Sequence, residues 1–332
     1  MNKLAVLTSG GDSPGMNPAI RAITRTCIKL GVDILGIENG YQGIFDRQFT
    51  PLGVLEVSGK IRDAGTFLGT SRCDRFRQKD GQEEALSVLR EEKIDGLLVI
   101  GGDGSLTGAR ILSDMGFPVI GLPGTIDNDL YGTDMGIGVD TALNTIIHLI
   151  DMIKATASSH RRCFIVEVMG RTSGYLALMS TISTGSQVAV VPEFDVNMAA
   201  IVESLNRRVL KKHNNSVVIV AEGVCSGQEF MDKLKREGAE LINKETRLTV
   251  LGHVQRGASP THFDRLLASR MGEYAVLAIT QDQTGSMTSL VNGRVQLRTF
   301  TEILGRKKDL PADAIRLAKN LGIEIGRPPQ KP

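Results

Sequence analysis

Tryptophan is missing altogether, and aromatic side chains make up only 4% of the 332 residues. So few rings exclude a stacking platform for nucleic-acid bases. Charge of one sign is missing too: 39 Lys and Arg against 37 Asp and Glu leave a net +2. There is no basic block of the kind that tracks a phosphate backbone. The four cysteines, Cys27, Cys73, Cys163 and Cys225, are widely and irregularly spaced. They form neither a metal-ligand pattern nor a disulfide framework. His148, His160, His213 and His262 have no ligand spacing either and read as structural or surface residues. No stretch reaches the roughly 18 apolar residues of a membrane span, and the first apolar run is too short for a signal peptide. The expectation is a cytoplasmic protein that binds neither membrane nor nucleic acid. GxxxxGK[ST] and a full GxGxxG are also missing, which leaves P-loop and dinucleotide binding unsupported.

What is present is glycine, 37 residues of it, much of it clustered in loops that follow short apolar runs. LAVLTS (4–9), VDILGI (32–37), IDGLLVI (94–100) and FPVIGL (117–122) read as buried strands separated by helices. In the first helix Asn17 is the expected N-cap, Pro18 sits in the first turn, and Ile20, Ile23, Cys27 and Leu30 recur at helical spacing. A further helix runs through Met115. The pattern then restarts: a helix over 141–154, strands CFIVEVM (163–169), QVAVVP (187–192) and SVVIVAE (216–222), and a helix after TVLGHVQRGASPT with Ser259 as cap and Pro260 at its first position. Met152 and Met179 fall on helices and read as core; the tail 326–332 reads as frayed. Strand, loop and helix in repetition imply parallel sheets covered on both faces, and the length suggests two domains. The expected fold is α/β, with two similar three-layer domains built on mainly parallel sheets.

The chemistry of such folds sits at the carboxyl ends of strands. SGGDSPGMN (9–17) could turn backbone N–H groups toward an anion ahead of a helix start, although Gly-Gly-Asp is also an ordinary tight turn. IGGDGSLTGA (100–109) places Asp103 in a second glycine loop. A carboxylate there repels phosphate unless a cation lies between, so Asp103 is either a Mg²⁺ ligand or a helix cap. PGTIDND (123–129) sets Asp127 and Asp129 where a buried strand ends. Turn chemistry accounts for the composition; a general base at Asp127 accounts for the position. MGRTSGY (169–175) offers Arg171 as a bidentate phosphoryl ligand or as a surface ion-pair residue. FLGTSR contributes Arg72, and SSHRRC contributes Arg161 and Arg162.

GGDSPGMN, GTFLGTSR, GGDGS, LPGTIDND, VEVMGRTSGY and TRLTVLGHVQRGASPT, in this order, resemble the bacterial ATP-dependent 6-phosphofructokinases, the glycolytic type. The likeness runs from the first strand to about residue 280. It implies an active site in the cleft between the two domains. The nucleotide-binding domain would comprise 1–140 with 256–304, and the sugar-phosphate domain 141–255 with 305–332. It implies Gly11, Arg72, Cys73, Gly102, Asp103, Gly104 and Ser105 at the nucleotide, with Mg²⁺ on Asp103. Thr125 and Asp127 would meet the sugar hydroxyl, with Asp127 as base and Asp129 beside it. Met169 and Arg171 would bracket the sugar and the phosphoryl group, which Arg72 also contacts. Glu222 and Arg256 would bind the sugar. His253, Arg162 and Arg247 would bind the 6-phosphate, the two arginines coming from a neighbouring subunit. The implied assembly is therefore a homotetramer with shared sites, and the implied partners are ATP, ADP and fructose 6-phosphate.

Pyrophosphate-using members of this family usually carry Asp and Lys where this chain has Gly104 and Gly124, so ATP is the expected donor. An effector site for ADP or phosphoenolpyruvate would draw on Arg21, Arg25, Lys154 and Lys211. Val54 stands there in place of an arginine and Gln187 in place of a glutamate, so a weakened effector response is expected. Arg21 and Arg25 also suit a plain solvated helix face. A kinase for another sugar phosphate, such as tagatose 6-phosphate, and a catalytically idle sensor are the competing readings. Intact Asp103, Asp127, Arg72 and Arg171 weigh against the sensor.

Overall fold

The computed structural model describes residues 1–160, 162–210, 216–238 and 245–328, with backbone only at 157–160 and 207–210. Two compact units share the chain. The first comprises Met1–Ile126, Leu130–Thr141 and Arg256–Lys308; the second comprises Asp127–Asp129, Ala142–Gln255 and Asp309–Pro332.

The strands of the first unit are β1 (Lys3–Ser9), β2 (Asp33–Ile37), β3 (Phe49–Pro51), β4 (Gly96–Gly101) and β5 (Val119–Pro123). Those of the second are β6 (Cys163–Val168), β7 (Val188–Val190), β8 (Ser216–Ala221) and β9 (Thr246–Val250). The chain then returns to the first unit with β10 (Ser286–Val291) and β11 (Arg294–Thr299). The first sheet has the order β11-β10-β5-β4-β1-β2-β3. Its five central strands are parallel, and β3 and β11 close the edges antiparallel. The second sheet, β7-β8-β6-β9, is parallel throughout.

The apolar runs are strands because both faces of the first sheet are covered. Leu4 and Val6 of β1 point into one core with Ile20 and Ile23 of the helix Met16–Leu30 and Met271 and Ala275 of the helix His262–Ile279. Ala5 and Leu7, one residue out of step, point into the other core with Leu89, Leu106 and Leu112. This alternation is the two-residue period of a strand, and strands buried on both sides have no polar face to show in the sequence. In the second unit Ile165, Val218 and Val220 pack with Ile201, Val202, Phe230 and Leu234. Among the described residues no helix is long and apolar enough to cross a membrane.

Several local expectations are corrected. Asn17 is not a cap: the helix starts at Met16 behind Gly15 at φ 116°, with no side-chain cap bond. The Asn17 side chain is buried and ties down the 63–67 segment instead. It donates to the carbonyl oxygens of Asp63 (3.1 Å) and Ala64 (3.3 Å) and accepts from the Phe67 N–H (2.9 Å). The cap of the later helix is Thr261, not Ser259, whose hydroxyl donates to the Arg62 carbonyl. Leu30 and Met152 are exposed rather than core.

Asp264 is fully buried in the first turn of the helix His262–Ile279. Its carboxylate accepts from the Gly138 N–H (2.9 Å), the Thr141 N–H (2.8 Å) and the Thr141 hydroxyl. Burial pushes its pKa up to about 6, against the hydrogen bonds that pull it down. The sign follows from the unfolded value of 3.8. The folded state holds this proton more tightly, so the contribution to stability is complete below about pH 4 and is lost as pH rises through about 6. A shift of this size corresponds to about 3 kcal/mol. Urea unfolding of the protein and of an Asp264→Asn variant across this window is expected to show that loss only in the protein with the carboxylate. Parallel stability curves would rule the titration out.

Candidate active site

β1 leads to β2 on one side, and the chain comes back through β4 on the other side of β1. The two strands therefore form the switch point of the sheet, where connections diverge and leave room beyond the strand ends. The loops that follow them, 10–15 and 101–103, carry the candidate residues of the first unit. Gly10 takes φ 83°, and Gly15 takes φ 116° at the start of the next helix, which directs backbone N–H groups out of the turn. A side chain on Gly11 would lie 1.9 Å from Nη1 of Arg256. That guanidinium donates to the Asp12 carbonyl at 3.1 Å and stands 3.7 Å from the Asp12 carboxylate. Arg256 is thus placed on the first glycine loop.

The 66–72 stretch is fastened to the same loop. Thr8 and Thr66 hydroxyls pair at 2.8 Å, Thr8 donates to the Gly69 carbonyl at 2.8 Å, and Thr70 donates to the Gly10 carbonyl at 2.7 Å. Arg72 follows two residues later with an exposed side chain. Cys73 packs half-buried against the core, and burial pushes its thiol pKa up.

Asp103 is the first residue of the helix Asp103–Asp114, exposed, behind Gly102 as N-cap. No side chain caps this helix, which removes the capping reading of Asp103. Gly104 faces open space: a Cβ there would meet nothing within 4 Å. Glycine inside a helix costs about 1 kcal/mol relative to alanine, and no neighbouring group demands it here. Gly124 differs. Its Cβ would sit 3.0 Å from Ile100 Cγ2, 3.1 Å from Met16 Cε and 3.3 Å from the Gly101 nitrogen. A side chain at 124 would need these neighbours to give by a few tenths of an ångström, so position 124 is a tight packing site as well as a candidate donor determinant. Ser105 is buried, and its carbonyl accepts from the Tyr41 hydroxyl at 2.7 Å. Thr125 is half-buried, with its Cβ 3.7 Å from where a Gly102 side chain would begin.

The second unit carries the other residues. Asp127 is 5% exposed, and its Oδ2 lies 3.9 Å from Nε of Arg171. Arg171 keeps 70% of its side chain exposed. Two non-glycine residues adopt left-handed backbone at this point, Asn128 at φ 50° and Arg171 at φ 51°. Such conformations cost of order 1–3 kcal/mol and persist where surrounding structure imposes them. Glu222 imposes one of them: its Oε1 accepts from the N–H groups of Gly170 (3.2 Å) and Arg171 (3.1 Å). Gln255 is fully buried and fixes the adjoining residue. It accepts from the Met169 N–H at 3.1 Å and donates to the Gly252 carbonyl at 2.8 Å. Neither backbone-holding role could be seen in the sequence. His253 is exposed in the turn Gly252–Arg256, and Asp129 is half-buried.

Arg162 and Arg247 lie elsewhere. Arg162 precedes β6, Arg247 pairs with Phe164 near the start of β9, and both guanidinium groups rest on the Glu245 carboxylate, Arg162 at 2.7 Å. They occupy the amino end of the second sheet, whereas Met169, Arg171, Glu222 and His253 follow the carboxyl ends of its strands. Arg162 and Met169 are seven residue steps apart along β6, about 23 Å, and Arg247, level with Phe164, is five steps away, about 17 Å.

Of the expected effector residues, Lys154 donates to the Thr184 carbonyl. Arg25 and Val54 line a pocket of about 500 Å³ with Ile28, Lys29 and Glu273. Arg21 is half-buried on the same helix as Arg25. Gln187 is buried, and its Oε1 accepts from the Val217 N–H at 2.6 Å. Lys211 lies outside the described residues.

Anion-facing backbone at the switch point of a parallel sheet, on a chain that also sets an arginine beside a buried carboxylate, is the equipment of an α/β phosphotransferase. Residues 3–279 match the family described as Phosphofructokinase, and the chain belongs to that family. The ATP-dependent 6-phosphofructokinase of Halalkalibacterium halodurans is 46% identical over 323 residues, 97% of this chain and 100% of the relative. The enzyme of the same name from Bacillus subtilis is 44% identical over 323 residues, again 97% of this chain and 100% of the relative. The solved structure of phosphofructokinase from Saccharomyces cerevisiae superposes with a TM-score of 0.84 at 36% identity, over 91% of this chain. This chain spans 45% of that longer polypeptide.

Proposed function

We propose that this protein is an ATP-dependent 6-phosphofructokinase. It transfers the γ-phosphoryl group of ATP to the 1-hydroxyl of fructose 6-phosphate, giving fructose 1,6-bisphosphate and ADP, a glycolytic step. The observation that carries the reading is Asp127, a buried carboxylate 3.9 Å from Arg171, next to Asn128 and Arg171 in left-handed backbone. Phosphoryl transfer asks a protein for alignment, positive charge on the transferred group and an acceptor for the hydroxyl proton. Asp127 takes that proton. Arg171 and Arg72, both exposed, direct guanidinium donors to the phosphoryl oxygens. The backbone of loops 10–15 and 101–105 receives the nucleotide phosphates, so the first unit is the nucleotide-binding one. Glu222, Met169 and His253 place the sugar phosphate on the second.

A hard, exposed carboxylate with no capping duty fits a magnesium ion, and Asp103 would hold it. The ion would supply positive charge that offsets the charge of the nucleotide phosphates. Arg162 and Arg247 stand about 17–23 Å of strand away from Met169, too far to share one sugar phosphate with it. They are proposed to serve the 6-phosphate of a neighbouring copy, in a homotetramer with shared sites.

The test is turnover of the purified protein with Mg²⁺ and fructose 6-phosphate, run with ATP and separately with pyrophosphate. Activity with ATP alone supports the reading. Activity with pyrophosphate would mean that the open space at Gly104 does not select the donor. Silence with both would turn attention to other sugar phosphates.

The effector pattern is expected to be altered. Gln187 spends its side-chain oxygen on the β8 backbone, and Val54 offers no charge. Fructose 6-phosphate saturation is expected to respond to ADP by less than about threefold, a coupling below about 1 kcal/mol. Strongly sigmoidal saturation relieved by ADP would sink this prediction.

A further inference from the structure

Asp264 touches none of the groups assigned to substrate, yet the supports of loop 10–15 and of the Thr125 turn lead back to it. Gly138 and Thr141, which it holds, belong to the segment 136–141. That segment lies against loop 10–15. A side chain on Gly138, at φ 105°, would meet Ser13 Cβ at 2.7 Å and Pro14 at 3.1 Å. A side chain on Gly15 would meet Ile137 at 2.6 Å and Asp264 itself at 3.7 Å. The same segment underlies the end of β5. Ile137 donates its N–H to the Pro123 carbonyl at 2.7 Å and bridges to Gly124, and a side chain on Gly136 would stand 3.0 Å from the Thr125 carbonyl. Thr261 completes the cluster, taking its N–H to the Thr141 hydroxyl at 3.0 Å and giving its own hydroxyl to Asp140 at 2.6 Å.

We propose that Asp264 is a positioning residue: through Gly138 and Thr141 it fixes the strut 136–141 on which loop 10–15 and the Thr125 turn rest. The role rests on the proposed phosphoryl-transfer duty of those two loops. Aspartate suits it because its two oxygens can receive three donors, and a carboxylate has only acceptors to offer. The amide of asparagine would aim N–H groups at one of those donors. A site loop released by even about 1 Å loses orientation, at a cost of up to about 100-fold in rate.

Hydrogen exchange of the full-length protein is the direct test, on Asp264→Asn, Thr141→Val and Thr141→Ser. In the Asn and Val variants, peptides over 10–15 and 123–126 are expected to exchange about tenfold faster, while β4 stays unchanged. Thr141→Ser keeps the hydroxyl and is expected to match the parent. In steady state the Asn and Val variants should raise KM for ATP and KM for fructose 6-phosphate together, each by about tenfold, because loop 10–15 serves the nucleotide and the Thr125 turn the sugar hydroxyl. Unchanged loop exchange, or equal acceleration in β4 and the loops, overturns the proposal. If Asp264→Asn fails to fold, Thr141→Val carries the test. A parent protein inactive with ATP would count against the phosphofructokinase reading, and the exchange data would still decide the strut.

Discussion

Asp127→Ser is expected to lower kcat by about 10²–10⁴-fold, the usual worth of a general base, with KM for ATP within about threefold of its starting value. Three features make this the cleanest loss available. Asp127 is 5% exposed, which leaves little room for bulk water to take over proton acceptance. Serine is small enough for the pocket and has no basicity near neutral pH. Arg171, the cation beside it, is 70% exposed, so removing the carboxylate strands no buried charge and the fold should stand. The nucleotide loops 10–15 and 101–105 belong to the other unit and should bind as before. Turnover kept within about threefold of the parent would remove Asp127 as the base.

The second large effect concerns the donor. Gly104→Asp is expected to cut kcat/KM for ATP by at least about 100-fold, the several kcal/mol that like charges cost when juxtaposed. KM for fructose 6-phosphate should stay within about threefold. No protein atom lies within 4 Å of the new Cβ, so the side chain enters space the fold leaves open. An acidic residue in the first turn of a helix is favourable to the fold by about 0.3–1 kcal/mol. Stability should therefore hold or rise while ATP use collapses. Equal losses for both substrates would show that position 104 acts on the whole site rather than on the nucleotide.

Much of the architecture was legible in the sequence because parallel strands buried on both faces must be continuous apolar runs. LAVLTS, IDGLLVI and FPVIGL could be little else, and the glycines that follow two of them had to turn at strand ends. Asp103 and Asp127 stood out for the same reason: each puts a charge where a buried strand has just finished. What could not be read was every side chain whose partner lies far along the chain. Asp264 looks like one more acid in an amphipathic helix, and its partners are more than 120 residues away. Gln255 reaches back to Met169 across 86 residues. Asn17 has the residue type of a cap and works as a clamp on the 63–67 segment. The left-handed backbone of Arg171 is likewise held by a distant side chain, Glu222. Gly124 shows the reverse limit, since its bareness carried a meaning in sequence while a Cβ there would also crowd Ile100 and Met16 at 3.0 and 3.1 Å.

Glu245 gives the arginine pair at the amino end of the second sheet a built-in rival. Its carboxylate is covalently tethered within reach of both guanidinium groups, so its effective concentration there is of the millimolar order typical of short tethers, or above. An incoming phosphate must outcompete a ligand that never diffuses away. Weak anions present at lower concentration are turned aside, and a doubly charged phosphate held at the same moment by other groups can displace it. In the proposed 6-phosphate role, the pair would be insensitive to stray anions and responsive to a substrate whose far end is already anchored.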